Sequence, residues 1–182
     1  MSEGRQARWE RMTAADIDAV LAVADVVHPA FPEDRAVLAE RFALHPEGCF
    51  VLRGGDGPNG DGANGDGPNE SAVIGYTLTH PWAADTVPPL NTLLGRLPEA
   101  QVYYIHDLAL LPAARGLRAG SAAVRLYETR ARALGLSHMA LVAVNNSGGF
   151  WRAQGFEQAH SPEWAEKLAS YGTDAAYMVK AV

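Results

Sequence analysis

The chain has 182 residues, 48% of them hydrophobic and 20% charged, which suits one soluble domain with a substantial core. Its formal net charge of −6 argues against nucleic acid as a main partner, because non-specific phosphate binding needs clustered Lys and Arg. The lone cysteine, Cys49, excludes an intrachain disulfide, and no signal-like run or stretch of about 20 apolar residues is present, so a cytoplasmic location without membrane contact is the expectation.

Thr13 is placed to cap a first helix whose apolar face is Ile17, Val20, Leu21, Ala24 and Val27, and Pro29 and Pro32 break it. A second helix is predicted from about Glu33 to Leu44, with Leu38 and Phe42 one turn apart. Cys49 to Leu52 and Ala72 to Thr79 read as strands. Between them, Gly54 to Glu70 repeats D-G-[PA]-N at Asp56, Asp61 and Asp66 and offers no apolar face, which predicts a disordered or floppy linker in a hairpin-like connection. The G-x-G-x-x-G match from Gly55 to Gly60 precedes no helix and is rejected as a dinucleotide site, and the acidic spacing fits no calcium loop. Pro81, Pro88 and Pro89 mark an irregular stretch. Val102 to Leu111 is the strongest strand. A long helix follows from Leu117 to Leu134, with Leu117, Gly120, Val124, Tyr127, Ala131 and Leu134 on one face. His138 to Val144 reads as a buried strand, Ser147 to Gln154 as a short helix and Ala175 to Val179 as a closing strand. Residues 1–182 thus read as a single α/β or α+β domain around a central sheet.

The stretch Tyr103 to Gly120, YYIHDLALLPAARGLRAG, runs from a strand through a tight turn into a helix. Backbone N–H groups in such a turn, with the unsatisfied donors of the helix start, form a cradle for a pyrophosphate. Arg115 adds charge beside it, and no Gly-Lys-Ser/Thr closes a Walker loop. Here the chain resembles the GNAT superfamily of acyl-CoA transferases, whose pyrophosphate loop reads Gln/Arg-x-x-Gly-x-Gly/Ala. Arg115 and Gly120 fit its first and last positions; Arg118 stands where a glycine is expected, with Gly116 two residues earlier. Asn145 to Phe156, NNSGGFWRAQGF, is similar to the later signature of the same superfamily: an Asn, a helix with an aromatic pair, then Gly-Phe opening a strand. Tyr171-Gly172 and Ala176-Tyr177-Met178 are similar to bacterial members.

The resemblance implies a mixed sheet splayed open between two parallel strands, Val102–Leu111 and His138–Val144, with helices on both faces. It implies acetyl-CoA as the acyl donor; no metal is expected, since the histidines show no metal-ligand spacing. The pantetheine arm would pair with backbone at Leu108, Ala109 and Leu110. The loop of Arg115, Gly116, Leu117, Arg118, Ala119, Gly120 and Ser121 would hold the pyrophosphate, with Asn146 and Trp151 near the arm's other side. It also implies an N-acetyltransferase in which a primary amine attacks the thioester directly. Because an alkylammonium has a pKa of roughly 10, freeing the amine at pH 7 costs about 4 kcal/mol, and a general base contributes on the order of 10²- to 10⁴-fold. In the related serotonin acetyltransferases two histidines occupy the positions of Tyr104 and His106. His106 is therefore the base candidate, an imidazole being suited to proton transfer near neutrality, and Tyr104 could bridge through water. Strand alternation would put Asp107 on the opposite face, against a His106–Asp107 dyad. A plain hydrogen-bonded histidine near a strand end is the competing reading.

Many members carry a Tyr as general acid where this chain has Trp151, whose indole N–H is no useful acid. Cys49, among apolar neighbours, reads as a buried small hydrophobe, and the remaining histidines show no metal-ligand spacing. The segments His28 to Asp34 and His80 to Asp85 would wall the acceptor pocket, with Phe31, His80 and Trp82 as aromatic surfaces and Glu33 as the carboxylate for a cationic amine. Turn-pinning aromatics and a helix-starting acid explain the same residues. Trp164 and Tyr171 are open to either a wall of the site or a homodimer contact. Two other functions stay open: a catalytically inactive acyl-CoA-binding module or sensor, and an interaction domain that keeps only the fold.

Overall fold

The computed structural model describes residues 7–54 and 72–182. Its elements in chain order are β1 (Arg8–Arg11), α1 (Ile17–Val27), α2 (Arg35–Leu44), β2 (Cys49–Arg53), β3 (Val73–Trp82), β4 (Val102–Leu110), α3 (Ala119–Ala133), β5 (His138–Ala143), α4 (Gly148–Ala153), β6 (Glu157–Gln158), α5 (Pro162–Ala169) and β7 (Ala176–Ala181). The strands form one sheet in the order β1-β2-β3-β4-β5-β7-β6. Every pairing is antiparallel except β4 with β5, the parallel pair expected from the sequence. No helix among the described residues is long and apolar enough to cross a membrane.

Both faces of the sheet are covered. On β3, Tyr76 and Leu78 point into a core with Ile17, Val20, Val23 and Leu38 of α1 and α2. Thr77 points the other way and bonds the Tyr127 hydroxyl of α3 at 2.6 Å. Tyr103, Ile105, Val124, Tyr127, Met139 and Trp151 form the core beneath α3. A third cluster joins Trp82, Tyr104, Trp164, Tyr171 and Tyr177 at the end covered by α5.

Several sequence expectations shift by a few residues. The helix α2 begins at Arg35, so Glu33 lies in the preceding loop. The strand expected to end at Thr79 continues through Trp82, because His80 and Trp82 have buried surface to face despite Pro81 between them. Leu117 and Leu134 lie outside α3 and are 49% and 44% exposed, so they do not extend its buried face. The strands β1 and β6 and the helix α5 are additional to the expected set. Cys49 is fully buried, and burial pushes its thiol up to about 12. The linker reading of Gly54 to Glu70 falls, apart from Gly54, outside the described residues.

Two irregularities shape the site. The β4–β5 register consists of Tyr103↔Met139, Tyr104↔Ala140 and Ile105↔Leu141 and then stops, although both strands run on. Beyond Ile105 the two strands splay. At the same point the β3–β4 ladder slips: Leu78 pairs with Asp107 and Thr79 with Ile105, so His106 is left without a partner. An inserted residue of this kind is a β-bulge, and it interrupts the alternation of side chains.

Candidate active site

The splay opens a cleft of about 320 Å³ between β4 and β5. Its walls are Ile105, Leu108 and Leu110 on one side, Leu141, Val142 and Val144 on the other, with Phe150 and Trp151 of α4 across one end. A second, smaller pocket of about 60 Å³ adjoins it, lined by Phe31, Glu33, Leu90, Tyr104 and Tyr171. His28, His106, Asp107, Val142 and Val144 line both cavities and so form the boundary between them.

The bulge brings His106 and Asp107 to the same cavities, which overturns the alternation expected from the sequence. They do not pair with each other. His106 Nε2–H donates to both carboxylate oxygens of Glu33, each at 3.1 Å, with the two side chains 6% and 10% exposed. Asp107 Oδ1 accepts from His28 Nε2–H at 2.8 Å, and its other oxygen accepts from the buried Tyr76 hydroxyl. The other ring nitrogen of His28 contacts the Asn145 amide at 3.3 Å. Two histidine–carboxylate pairs therefore sit side by side.

Their electrostatics follow from burial set against mutual charge. Burial raises the Asp107 carboxyl, but the adjacent His28 and the Tyr76 hydroxyl outweigh it and hold Asp107 below its ordinary value. Burial likewise opposes ionisation of Glu33, and the His106 hydrogen bond and charge reverse the outcome, keeping Glu33 low. For His28, burial disfavours the cation, yet Asp107 and then Glu33 hold it above its ordinary value.

Of the other expected residues, Tyr104 is buried and walls the small pocket, beside the His80 ring at 5.7 Å. Leu108 and Leu110 line the cleft, while Ala109 is fully buried in the α1 core opposite Tyr76. Arg115, Gly116, Leu117 and Arg118 are exposed at the α3 start, and Ser121 is half-buried. Gly116 and Arg118 have φ of 78° and 55°, so both occupy the left-handed region. The helical bond from Ala122 N–H to Arg118 C=O follows Ala119, Gly120 and Ser121, whose N–H groups precede it as at any helix start. A Cβ on Gly120 would lie 2.8 Å from the Phe150 ring, so glycine permits that close approach. Trp151 is 6% exposed and wedged between Phe150 and Phe156, at 4.9 and 5.3 Å between ring centres. Asn146 donates its backbone N–H to Asp174 at 2.7 Å; its neighbour Asn145, rather than Asn146, lines the cleft.

Phe31 and Glu33 do meet in the small pocket. His80 and Trp82 do not join them. His80 is 1% exposed behind His106, and Trp82 lines a separate surface depression with Leu94 and Arg96. Tyr171 walls the small pocket and donates its hydroxyl to the Pro88 carbonyl, while the indole of Trp164 donates to the Asp85 carbonyl. The sequence places His28 at the start of a segment walling the acceptor pocket but gives it no role of its own; the structure pairs it with Asp107. Its signal was the break after α1, where a histidine before proline is delivered to the ends of the parallel strands.

Comparisons with known proteins bear on the family and the fold. The model of the acetyltransferase (GNAT) family matches residues 21–156. Ard1 from Thermoplasma volcanium is 15% identical and superposes with a TM-score of 0.69 over 97% of this chain and 98% of that one. The loading GNATL domain of CurA from Lyngbya majuscula is 12% identical, with a TM-score of 0.71 over 96% and 97%. Arabidopsis thaliana Naa50, in complex with the bisubstrate analogue CoA-Ac-MVNAL, is 12% identical, with a TM-score of 0.65 over 97% and 99%. No curated protein matches the sequence. A single mixed sheet split between its two parallel strands, together with a family match spanning most of the sequence, places this chain in the GNAT acetyltransferase family.

Proposed function

We propose that the protein is an N-acetyltransferase that moves an acetyl group from acetyl-CoA to a primary amine by direct attack through a tetrahedral intermediate. The observation that carries this reading is the pair of adjoining cavities with ionisable side chains on their common wall. A thioester carbonyl delivered through the larger cavity would meet an amine held in the smaller one at His106. The donor's fit rests on chemistry visible in the fold. Beyond Ile105 the β5-facing edge of β4 is unpaired, so an amide-bearing arm can add there as a short strand. The α3 start, with left-handed Gly116 and Arg118 and the charge of Arg115, suits a pyrophosphate. In the Naa50 complex the analogue joins CoA to a peptide through the acetyl group, which supports the same order of donor and acceptor here.

On this reading Glu33 and Asp107 attract an ammonium into a pocket walled by Phe31, Tyr104 and Tyr171. The Glu33 bond occupies Nε2 of His106 and fixes its tautomer, leaving Nδ1 as the basic atom. The bound ammonium first releases one proton to water; the free amine then attacks, and the proton left on its nitrogen in the intermediate passes to Nδ1, where Glu33 stabilises the imidazolium. The test is release of free CoA thiol with a panel of primary amines. His106→Ala should cut kcat by about 10²- to 10⁴-fold while CoA affinity measured by calorimetry stays within threefold. An unchanged rate would remove His106 from the chemistry. Micromolar CoA binding without turnover on any amine would favour the inactive acyl-CoA-binding module, the reading that Trp151 in place of a tyrosine supports.

A further inference from the structure

A departing CoA thiolate is stabilised if a proton reaches it, and the acid that supplies one is not evident from the aromatic pair of α4. Trp151 is packed between two phenyl rings and carries no acidic group. None of the six tyrosines lines the larger cleft. Four of their hydroxyls are already engaged: Tyr76 with Asp107, Tyr103 with Thr79, Tyr127 with Thr77 and Tyr171 with Pro88. The titratable side chains on the cleft wall reduce to His28, His106 and Asp107. His106 is taken by the base role, and Asp107 is held ionised by its partners.

Resting on the transferase reading above, we infer that His28 is the general acid that protonates the CoA sulfur, with Asp107 and Asn145 holding its ring. Its position is built for this. His28 closes the C-terminal end of α1, where its backbone N–H bonds the Ala24 carbonyl at 2.8 Å, and a helix C-terminus favours a cation. Asp107 takes the Nε2–H at 2.8 Å, so the second proton of the imidazolium sits on Nδ1, on the side of Asn145 and the cleft. In the structure Asn145 Nδ2 faces Nδ1 at 3.3 Å, the arrangement of the neutral ring left after proton transfer; in the imidazolium the amide turns to present its oxygen until the sulfur replaces it. The groups facing the ring are Asp107 and His106 from β4, Glu33 from its own loop and neutral Asn145 after β5. The two carboxylates hold the ring's pKa above its ordinary value despite burial.

The step balances. The amine lone pair forms the C–N bond, and the ammonium proton of the intermediate passes to His106 Nδ1. The C–S bond then breaks, its electron pair stays on sulfur, and sulfur takes the Nδ1 proton of His28. The products are the amide, the CoA thiol, a protonated His106 and a neutral His28. Both rings return to their starting states by exchanging one proton each with water.

The deciding variant is His28→Gln, whose amide can still donate to Asp107 and so keeps that carboxylate partnered. With acetyl-CoA, kcat should fall at least 100-fold with CoA affinity within threefold, and the alkaline descending limb of the kcat profile should disappear. With the acetyl thioester of a nitrothiophenol, whose thiolate leaves without a proton, wild type and variant should agree within about threefold. An equal loss on both donors, or an unchanged pH profile, overturns the acid assignment. If wild type turns over acetyl-CoA with an amine and the variant matches it, this inference alone fails. If wild type releases no thiol above the buffer rate on any amine, the transferase reading fails and the acid role falls with it.

Discussion

The His80 ring lies within 6.1 Å of His106, 5.7 Å of Tyr104 and 5.4 Å of Trp82, counted between ring centres, and is 1% exposed. Its Nδ1–H donates to the Pro81 carbonyl at 3.0 Å, and Nε2 has no partner among the described residues. Burial first, and the charge of His106 second, push its pKa down to about 3. An unfolded histidine takes up a proton near pH 6.5, so between those values the unfolded chain binds more protons and stability must fall as the pH falls. One such group contributes at most about 1.4 kcal/mol per pH unit. His45, lowered by burial, acts in the same direction. His28 acts only above about pH 6.5, where its raised value makes stability fall as the pH rises. Glu33 and Asp107, both lowered, lose their contribution only below about pH 4.5. Urea melts between pH 5 and 6.5 should therefore show a stability slope that His80→Phe reduces but does not abolish. Identical slopes would mean that His80 is protonated in the folded protein. Placing His80 in the acceptor pocket was a reasonable sequence expectation, since His-Pro-Trp reads as a loop; the strand continues through it because both aromatic neighbours find buried surface.

At the scale of elements, the loop into α3 shows what an arginine costs where the superfamily pattern has glycine. Arg118 has φ 55°, a left-handed conformation that disfavours a Cβ by roughly 1–2 kcal/mol, and it lies where the pattern expects glycine. Glycine there loses about 0.5–1 kcal/mol of that gain to the greater freedom of its unfolded chain. Arg118→Gly should therefore raise the melting temperature by no more than about 6 °C, and Arg118→Val, with a branched Cβ, should lower it. Equal melting of all three chains would show that this residue is free to leave the left-handed region. The motif's glycine positions are legible in the sequence; the left-handed backbone at Arg118 comes from the structure. The bulge at His106 was not legible: strand alternation is read one strand at a time, whereas a bulge is a mismatch between two strands. That one inserted residue turns the expected opposition of His106 and Asp107 into two neighbouring histidine–carboxylate pairs. Glu33 was legible as a carboxylate of the site but not as the partner of His106, because 73 residues separate them and only the fold closes that gap.

Across the whole molecule, order and spacing of the two signature blocks were enough to read the parallel pair and the gap between them. The edges were harder. The strand β1 has four residues without alternating polarity, and it is held by pairing with β2 and by the Trp9 indole bond to the Ala119 carbonyl. Those contacts tie the N-terminal strand to the start of α3, where the proposed pyrophosphate site lies. The β2–β3 hairpin stands next to β1 in the sheet and closes with the Gly54 N–H bond to the Ala72 carbonyl at 3.0 Å. None of the residues lining the two cavities comes from β2 or from the adjoining ends of this hairpin. Reading Gly54 to Glu70 as a linker therefore separates it from catalysis and makes its length an entropic matter alone. Removing Gly57 to Pro68 shortens the 17-residue connection between Gly54 and Ala72 to five, which by loop-closure entropy stabilises the fold by about 1 kcal/mol. The shortened chain should melt about 2–4 °C higher, with CoA affinity and kcat within twofold of wild type. Lost turnover with an intact melt would instead assign the Asp-Gly-Asn repeats a part in binding one of the substrates.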